Sequence, residues 1–124
     1  MATAKAIAII DDEIDLVNLF QEALENNGFK VCTFIDPVQA YNHIQKNPND
    51  YDLILSDYRM PVMNGNELCT KLMRINPGFK VILMSAYENI EDISKFTFMR
   101  KPTTIANLLQ IVQNTITEKA NTII

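Results

Sequence analysis

Cysteine and histidine are scarce in this chain, basic charge is outweighed by acid, and no apolar run is long enough to cross a membrane. Of 124 residues, two are cysteine and one is histidine. Cys32 and Cys69 are too few for a disulfide scaffold. They are not spaced as a metal pair either, and both are expected to be reduced, buried and structural. The lone His43 sits among polar residues on a predicted helix and reads as an exposed residue, not as a phosphohistidine. No stretch approaches the ~18–20 apolar residues of a membrane span, and Met1 to Lys5 lacks an apolar signal segment. The expectation is a cytoplasmic protein without membrane insertion. The net charge of −4 and pI near 4.9 disfavour a nucleic-acid-binding surface, which is normally basic. Repeats, linkers and low-complexity segments are lacking too, so residues 1–124 read as one domain.

What is present supports a core. Hydrophobic residues make up 48% of the chain, enough for a folded domain of this size. Apolar runs alternate with helical patterns. Lys5–Ile10 reads as a buried strand, and Ile14–Asn27 as a helix with Val17, Phe20 and Leu24 on one face and Gly28 as its C-terminal cap. Lys30–Ile35 is a second strand. Asp36-Pro37 opens a second helix to about Lys46, because Asp accepts free N–H groups and Pro suits the first turn. Asp52–Ser56 is a third strand, Asn64–Ile75 a third helix and Phe79–Met84 a fourth strand. A short segment, Asn89–Lys95, precedes a brief fifth strand, Phe96–Met99. Thr104 caps a last helix with Ile105, Leu108, Val112 and Ile116 on its inner face. Near-continuous apolar strands separated by helices predict an α/β fold with a parallel sheet covered on both faces.

Open parallel sheets carry function at the carboxyl ends of their strands. Asp11-Asp12-Glu13 comes after the first strand, Asp57 after the third, Ser85-Ala86 after the fourth and Lys101-Pro102 after the fifth. Singly, each has an ordinary explanation: acids cap helices, and a lysine is usually solvated. Together they place carboxylates, a hydroxyl and a lysine at one rim. Clustered carboxylates repel each other and are stabilised by a hard cation. With oxygen donors alone and no His or Cys nearby, Mg²⁺ is the natural ion. A carboxylate beside such an ion and a lysine can attack phosphorus and give an acyl phosphate.

These residues resemble those of response regulator receiver domains, and the resemblance covers almost the whole chain. Asp11-Asp12-Glu13 looks like the family's acidic pair, and Asp57-Tyr58-Arg59-Met60-Pro61-Val62-Met63-Asn64-Gly65 like its phosphorylation loop. Ser85-Ala86 is similar to its hydroxyl and small residue, and Lys101-Pro102 to its lysine and adjoining proline. The resemblance implies one doubly wound, flavodoxin-like sheet of five parallel strands in order 2-1-3-4-5. It implies Asp57 as phosphoacceptor, with Mg²⁺ bound by Asp12, by Asp11 through water, by Asp57 and by the Arg59 carbonyl. Ser85 and Lys101, with the backbone N–H groups of Tyr58 and Ala86, would hold phosphoryl oxygens. Ser85 and Phe98 would form the switch, and Arg59 and Tyr87 would govern how long the phosphoryl group lasts. The implied partners are a sensor histidine kinase or phosphotransfer protein and an output protein, with a homodimer also conceivable. The chain departs from the family in a shorter interval between Ser85 and Lys101, which leaves room for only a shortened fourth helix. The switch aromatic is Phe rather than Tyr. The family's proline is usually cis, whereas only ~5–6% of X–Pro bonds are cis, so Pro102 taken alone would be trans.

Three other readings remain at this level. A flavin-binding protein of similar architecture needs a phosphate cradle after the first strand, where this chain has acids. An aspartate-nucleophile phosphatase usually carries a second Asp two positions after the nucleophile, where this chain has Arg59. A receiver-like interaction module that is never phosphorylated would not need the intact acid set.

Overall fold

A computed structural model describes residues 5–86, 96–101 and 103–121. Its elements run β1 (Ala6–Ile10), α1 (Ile14–Glu25), β2 (Lys30–Phe34), α2 (Pro37–Lys46), a 3-10 turn (Pro48–Asp50), β3 (Tyr51–Asp57), α3 (Gly65–Ile75), β4 (Lys80–Ser85), β5 (Thr97–Arg100) and α4 (Ile105–Asn121). The expected shortened fourth helix and Pro102 lie outside the described residues. All five strands are parallel and lie in the order β2-β1-β3-β4-β5, as the resemblance implies.

The helices divide between the two faces. On one face α2 and α3 supply Ala40, Ile44, Leu68, Cys69 and Leu72, packed with Ala8, Ile10, Ile54 and Leu83 of the sheet. On the other, α1 and α4 supply Val17, Phe20, Leu24, Leu108 and Val112, packed with Ile7, Ile9, Leu53, Leu55 and Met84. Every residue of β1 is buried, because side chains alternate across a sheet that is covered on both sides. Truncating one of these large side chains, such as Leu55, typically costs about 2–5 kcal/mol.

Local signals hold where side chains settle the geometry. Asp36 Oδ1 accepts from the Val38 N–H at 2.8 Å, and Pro37 takes the first turn of α2. Thr104 Oγ1 accepts from the Asn107 N–H at 3.0 Å and so starts α4. Gly28 has φ +89°, a conformation that side chains other than glycine rarely adopt, and Phe29 N–H returns to the Leu24 carbonyl at 3.1 Å to close α1. Two strand ends differ from expectation in a way that matters. β3 and β4 each run one residue further toward the rim than the apolar pattern suggests. Asp57 and Ser85 are therefore ladder residues of the sheet, not loop residues beyond it. Apolarity stops before pairing does, because hydrogen bonding of the backbone does not depend on what the side chain is. Cys69 is buried, but Cys32 is only half-buried. It lies on the edge strand β2 and lines an open cavity of about 330 Å³ with Lys5, Lys30, His43 and Tyr51. His43 is exposed, as expected.

Gly65 joins this scaffold to the rim. It begins α3, its N–H donates to the Tyr58 carbonyl at 2.8 Å, and a β-carbon at this position would run into the Asp57 carbonyl oxygen. The helix approaches β3 closely only because no side chain intervenes. Gly65→Ala is expected to lower stability by about 1–3 kcal/mol through overpacking against backbone. A urea or thermal melt checks this; an unchanged midpoint would show that α3 can shift without cost.

Candidate functional site

Topology selects the rim. Chain order turns back at β1, which lies between β2 and β3, so the carboxyl ends of β1 and β3 flank the switch point where a crevice opens in such sheets. Asp11 leaves β1 there. Its N–H still pairs with the Phe34 carbonyl at 3.1 Å, while its Oδ1 accepts from the Glu13 N–H at 2.9 Å. That local turn fixes a carboxylate with no exposed surface. Asp12, next to it, faces solvent. Asp57 ends β3 and is 6% exposed. One oxygen from each of Asp11, Asp12 and Asp57 lies within 4.8 Å of the others.

Lys101 lies just past β5, and its N–H donates to the Ser85 carbonyl at 2.8 Å. This anchors its backbone beside β4 and sends its side chain inward. Nζ lies 2.8 Å from Asp11 Oδ2, 2.9 Å from Glu13 Oε1 and 3.2 Å from Asp57 Oδ1. Four of the residues singled out in the sequence, Asp11, Asp12, Asp57 and Lys101, thus converge. Ser85 is buried at the same rim, one position past Met84, the partner of Asp57 in the ladder. Phe98 is half-buried on β5 opposite Leu83, and Arg59 is exposed in the loop after β3. Tyr87 lies outside the described residues. The Tyr58 N–H, expected to face a phosphoryl oxygen, instead donates to the Met84 carbonyl at 2.8 Å, because the β3–β4 ladder continues past Asp57.

Sequence reading placed Glu13 among the rim acids but gave its side chain no role at the site. A signal was available: Glu13 occupies the N-cap of α1, where Ser, Thr, Asp or Asn is preferred. A poor capping residue in that place has a side chain free to serve elsewhere.

Known proteins share both the sequence pattern and the fold. The sequence profile of the response regulator receiver domain family matches residues 7–113. The chain is 27% identical over 120 residues to the transcriptional regulatory protein GlrR of Escherichia coli, covering 92% of this chain and 27% of that protein. It is 31% identical over 83 residues to the response regulator receiver protein CpdR of Brucella abortus, covering 67% and 68% of the two chains. Among solved structures, a CheY-like receiver domain protein from Methanospirillum hungatei superposes with TM-score 0.85 at 25% identity, over 96% of this chain and 98% of that one. The chain spans about a quarter of the length of the first curated relatives it matches.

Electrostatics at the rim are unbalanced. Burial, then the charge of Asp11, pushes the Asp57 carboxyl up to about 6, despite the opposing pull of Lys101. Burial likewise raises Asp11, against its bonds to Lys101 and to the Glu13 N–H. Burial alone would depress Lys101, but its bonds to Asp11 and Glu13 and the charge of Asp57 outweigh that and hold it firmly protonated. The folded carboxyl of Asp57 therefore takes its proton at a higher pH than the unfolded one. Its charge opposes folding above about pH 6, and the penalty shrinks as pH falls toward the ordinary carboxylate value. Without divalent cations, Asp57→Asn is expected to stabilise the protein by about 1–3 kcal/mol at pH 8, with the gain fading toward pH 4. Thermal melts across that range check it; a lower melting point for the variant at pH 8 would contradict an electrostatically strained rim.

Proposed function

The chain belongs to the response regulator receiver domain family, and on that premise we propose that it is a phosphoacceptor signalling domain of a two-component phosphorelay. It takes a phosphoryl group onto Asp57 from a sensor histidine kinase or a phosphotransfer protein. The observation that carries this reading is the Asp57 carboxylate, held among Asp11 and Asp12 with Lys101 Nζ at 3.2 Å. The donor set is oxygen only, which fits Mg²⁺, with Asp11, Asp12, Asp57 and the Arg59 backbone carbonyl as the residues that would hold it. Bound there, the ion supplies positive charge to the transferring oxygens.

The residues of the chain do the rest. An Asp57 oxygen attacks phosphorus as the bond to the donor imidazole nitrogen breaks, and that nitrogen keeps the electron pair. Lys101, Ser85 and the Ala86 N–H hold the phosphoryl oxygens, so charge is met by groups already in place. Glu13 and Asp11 keep Lys101 protonated and aimed at Asp57. The protein then slowly loses the group to water; it is no enzyme in the sense of turning over a separate substrate. Movement of Ser85 toward the phosphoryl group and inward rotation of Phe98 pass the state to the surface. The reader of that surface is an output protein or a second copy of this chain. The acidic charge argues for a protein partner over direct nucleic-acid contact, although curated relatives such as GlrR are named as transcriptional regulators. Residues 1–124 are proposed to form this one domain, acting in the cytoplasm.

Incubation with acetyl phosphate and Mg²⁺ is expected to add one phosphoryl group, seen in the intact mass, and chelation by EDTA should prevent it. Asp57→Ala should stay unmodified; a shift that persists in that variant would move the acceptor elsewhere. Lifetime gives a separate expectation. Arg59 stands two positions after the acceptor, where a large cationic side chain can pair with phosphoryl oxygens and obstruct in-line water, and the family resemblance assigns Tyr87 a part in the same lifetime. Combining Arg59→Asn with Tyr87→Glu should speed loss of phosphate severalfold in a single-turnover decay. An unchanged decay would place control of the lifetime in other residues.

A further inference from the structure

Glu13 makes a contact that its place at the start of α1 does not require. Its side chain forms no capping bond to the helix. It is 65% exposed, yet it reaches Lys101 Nζ at 2.9 Å. An ammonium group has three N–H donors, and three carboxylates surround this one: Asp11, Glu13 and Asp57. Two of its donors are hydrogen-bonded, to Asp11 and Glu13, and it pairs with Asp57 at 3.2 Å in the resting protein. A phosphoryl oxygen that arrives at Asp57 competes with these carboxylates for the ammonium.

The three partners are not equally able to yield. Asp11 is buried and additionally tied to the Glu13 N–H at 2.9 Å, so turning it away from Lys101 would leave a buried charge short of partners. Asp57 is the group being modified. Glu13 alone can swing into water, where its charge is solvated at once, and exposed ion pairs are weak. Resting on the reading of Asp57 as phosphoacceptor, we propose that the Glu13 carboxylate is a displaceable stand-in for a phosphoryl oxygen at Lys101, and that its release governs how readily an anionic phosphodonor engages the site. Glu13 is then a positioning residue: it holds the ammonium in the place where the phosphoryl oxygen will need it and yields on arrival.

General repulsion of anionic donors by one more acid would also slow the reaction, and chain length separates the two. Glu13→Gln removes the charge. Glu13→Asp keeps the charge but is one methylene shorter, and Asp is well suited to cap α1 instead. Phosphorylation of Asp57 by acetyl phosphate and Mg²⁺ would be monitored by intact mass over a range of donor concentrations. In that step, the phosphorus–oxygen bond to acetate breaks as the bond to Asp57 forms, and acetate leaves with the electron pair. Both variants are expected to lower the half-saturating donor concentration by roughly two- to fivefold, with a smaller change in maximal rate. The difference from wild type should narrow in high salt. If Glu13→Asp behaves as wild type while Glu13→Gln does not, the effect is general repulsion and the stand-in role is wrong. Wild-type behaviour of both variants overturns it as well. A wild type that accepts no phosphoryl group would sink the reading of Asp57 itself and the stand-in role with it. A thermal double-mutant cycle of Glu13→Gln with Lys101→Met then tells the cases apart. Non-additive shifts would leave a purely structural ion pair, and additive shifts would remove even that.

Discussion

Like charges gathered at the edge of an apolar sheet are the constraint on which the rest of this structure depends. Asp11 and Asp57 are both nearly inaccessible to water, and Asp12 stands close enough for all three to share a site. Taking carboxylates out of water and placing them side by side is unfavourable. Such an arrangement persists only if rigid surroundings hold it and positive charge offsets it. The surroundings are the ladders: Asp11 through its N–H to Phe34, Asp57 through its pairing with β4, Lys101 through its N–H to Ser85. Lys101 brings positive charge from within the protein and meets three carboxylates at once.

That arrangement explains why the fold needs both of its apolar layers. A parallel sheet buried on two faces is stiff, and its strands end together on one side. Crossovers through α1, α2 and α3 return the chain to the start of the next strand, and parallel pairing of β5 with β4 brings the lysine after β5 to the same rim as the acids of β1 and β3. Gly65 lets α3 approach the backbone of Asp57, so the site is supported from beneath by packing, not only by loops. The outcome is a set of groups in place before any ligand arrives, the condition for electrostatic stabilisation without reorganisation.

Much of this was legible in the sequence because it rests on periodicity and on residue types at strand ends. The five apolar runs, the caps Asp36 and Thr104, and the C-terminal Gly28 all encode local geometry in side-chain chemistry. The rim acids and Lys101 stand out because each sits immediately after an apolar run, where a parallel sheet presents its functional edge. Less was legible where backbone pairing outruns the apolar pattern: Asp57 and Ser85 lie within β3 and β4, and the Tyr58 N–H is spent on the ladder rather than left for a ligand. Half-burial of Cys32 comes from β2 being an edge strand, a fact of strand order that an apolar run does not reveal. Glu13 was read as a rim acid without a role, because its role depends on a lysine far along the chain. Spacing within α1 says nothing about that partner, and only the mismatch between Glu and a helix cap hints at it.

Burial first, and then the neighbouring acids, hold Asp57 in a site unfavourable for an ordinary carboxylate until positive charge is added. Carbon-13 NMR titration of the Asp57 side-chain carboxyl, with and without Mg²⁺, tests this most directly. A midpoint near 6 is expected in the metal-free protein, displaced to clearly lower pH when Mg²⁺ is present. A midpoint at the usual aspartate value of about 3.9, unmoved by Mg²⁺, would contradict it.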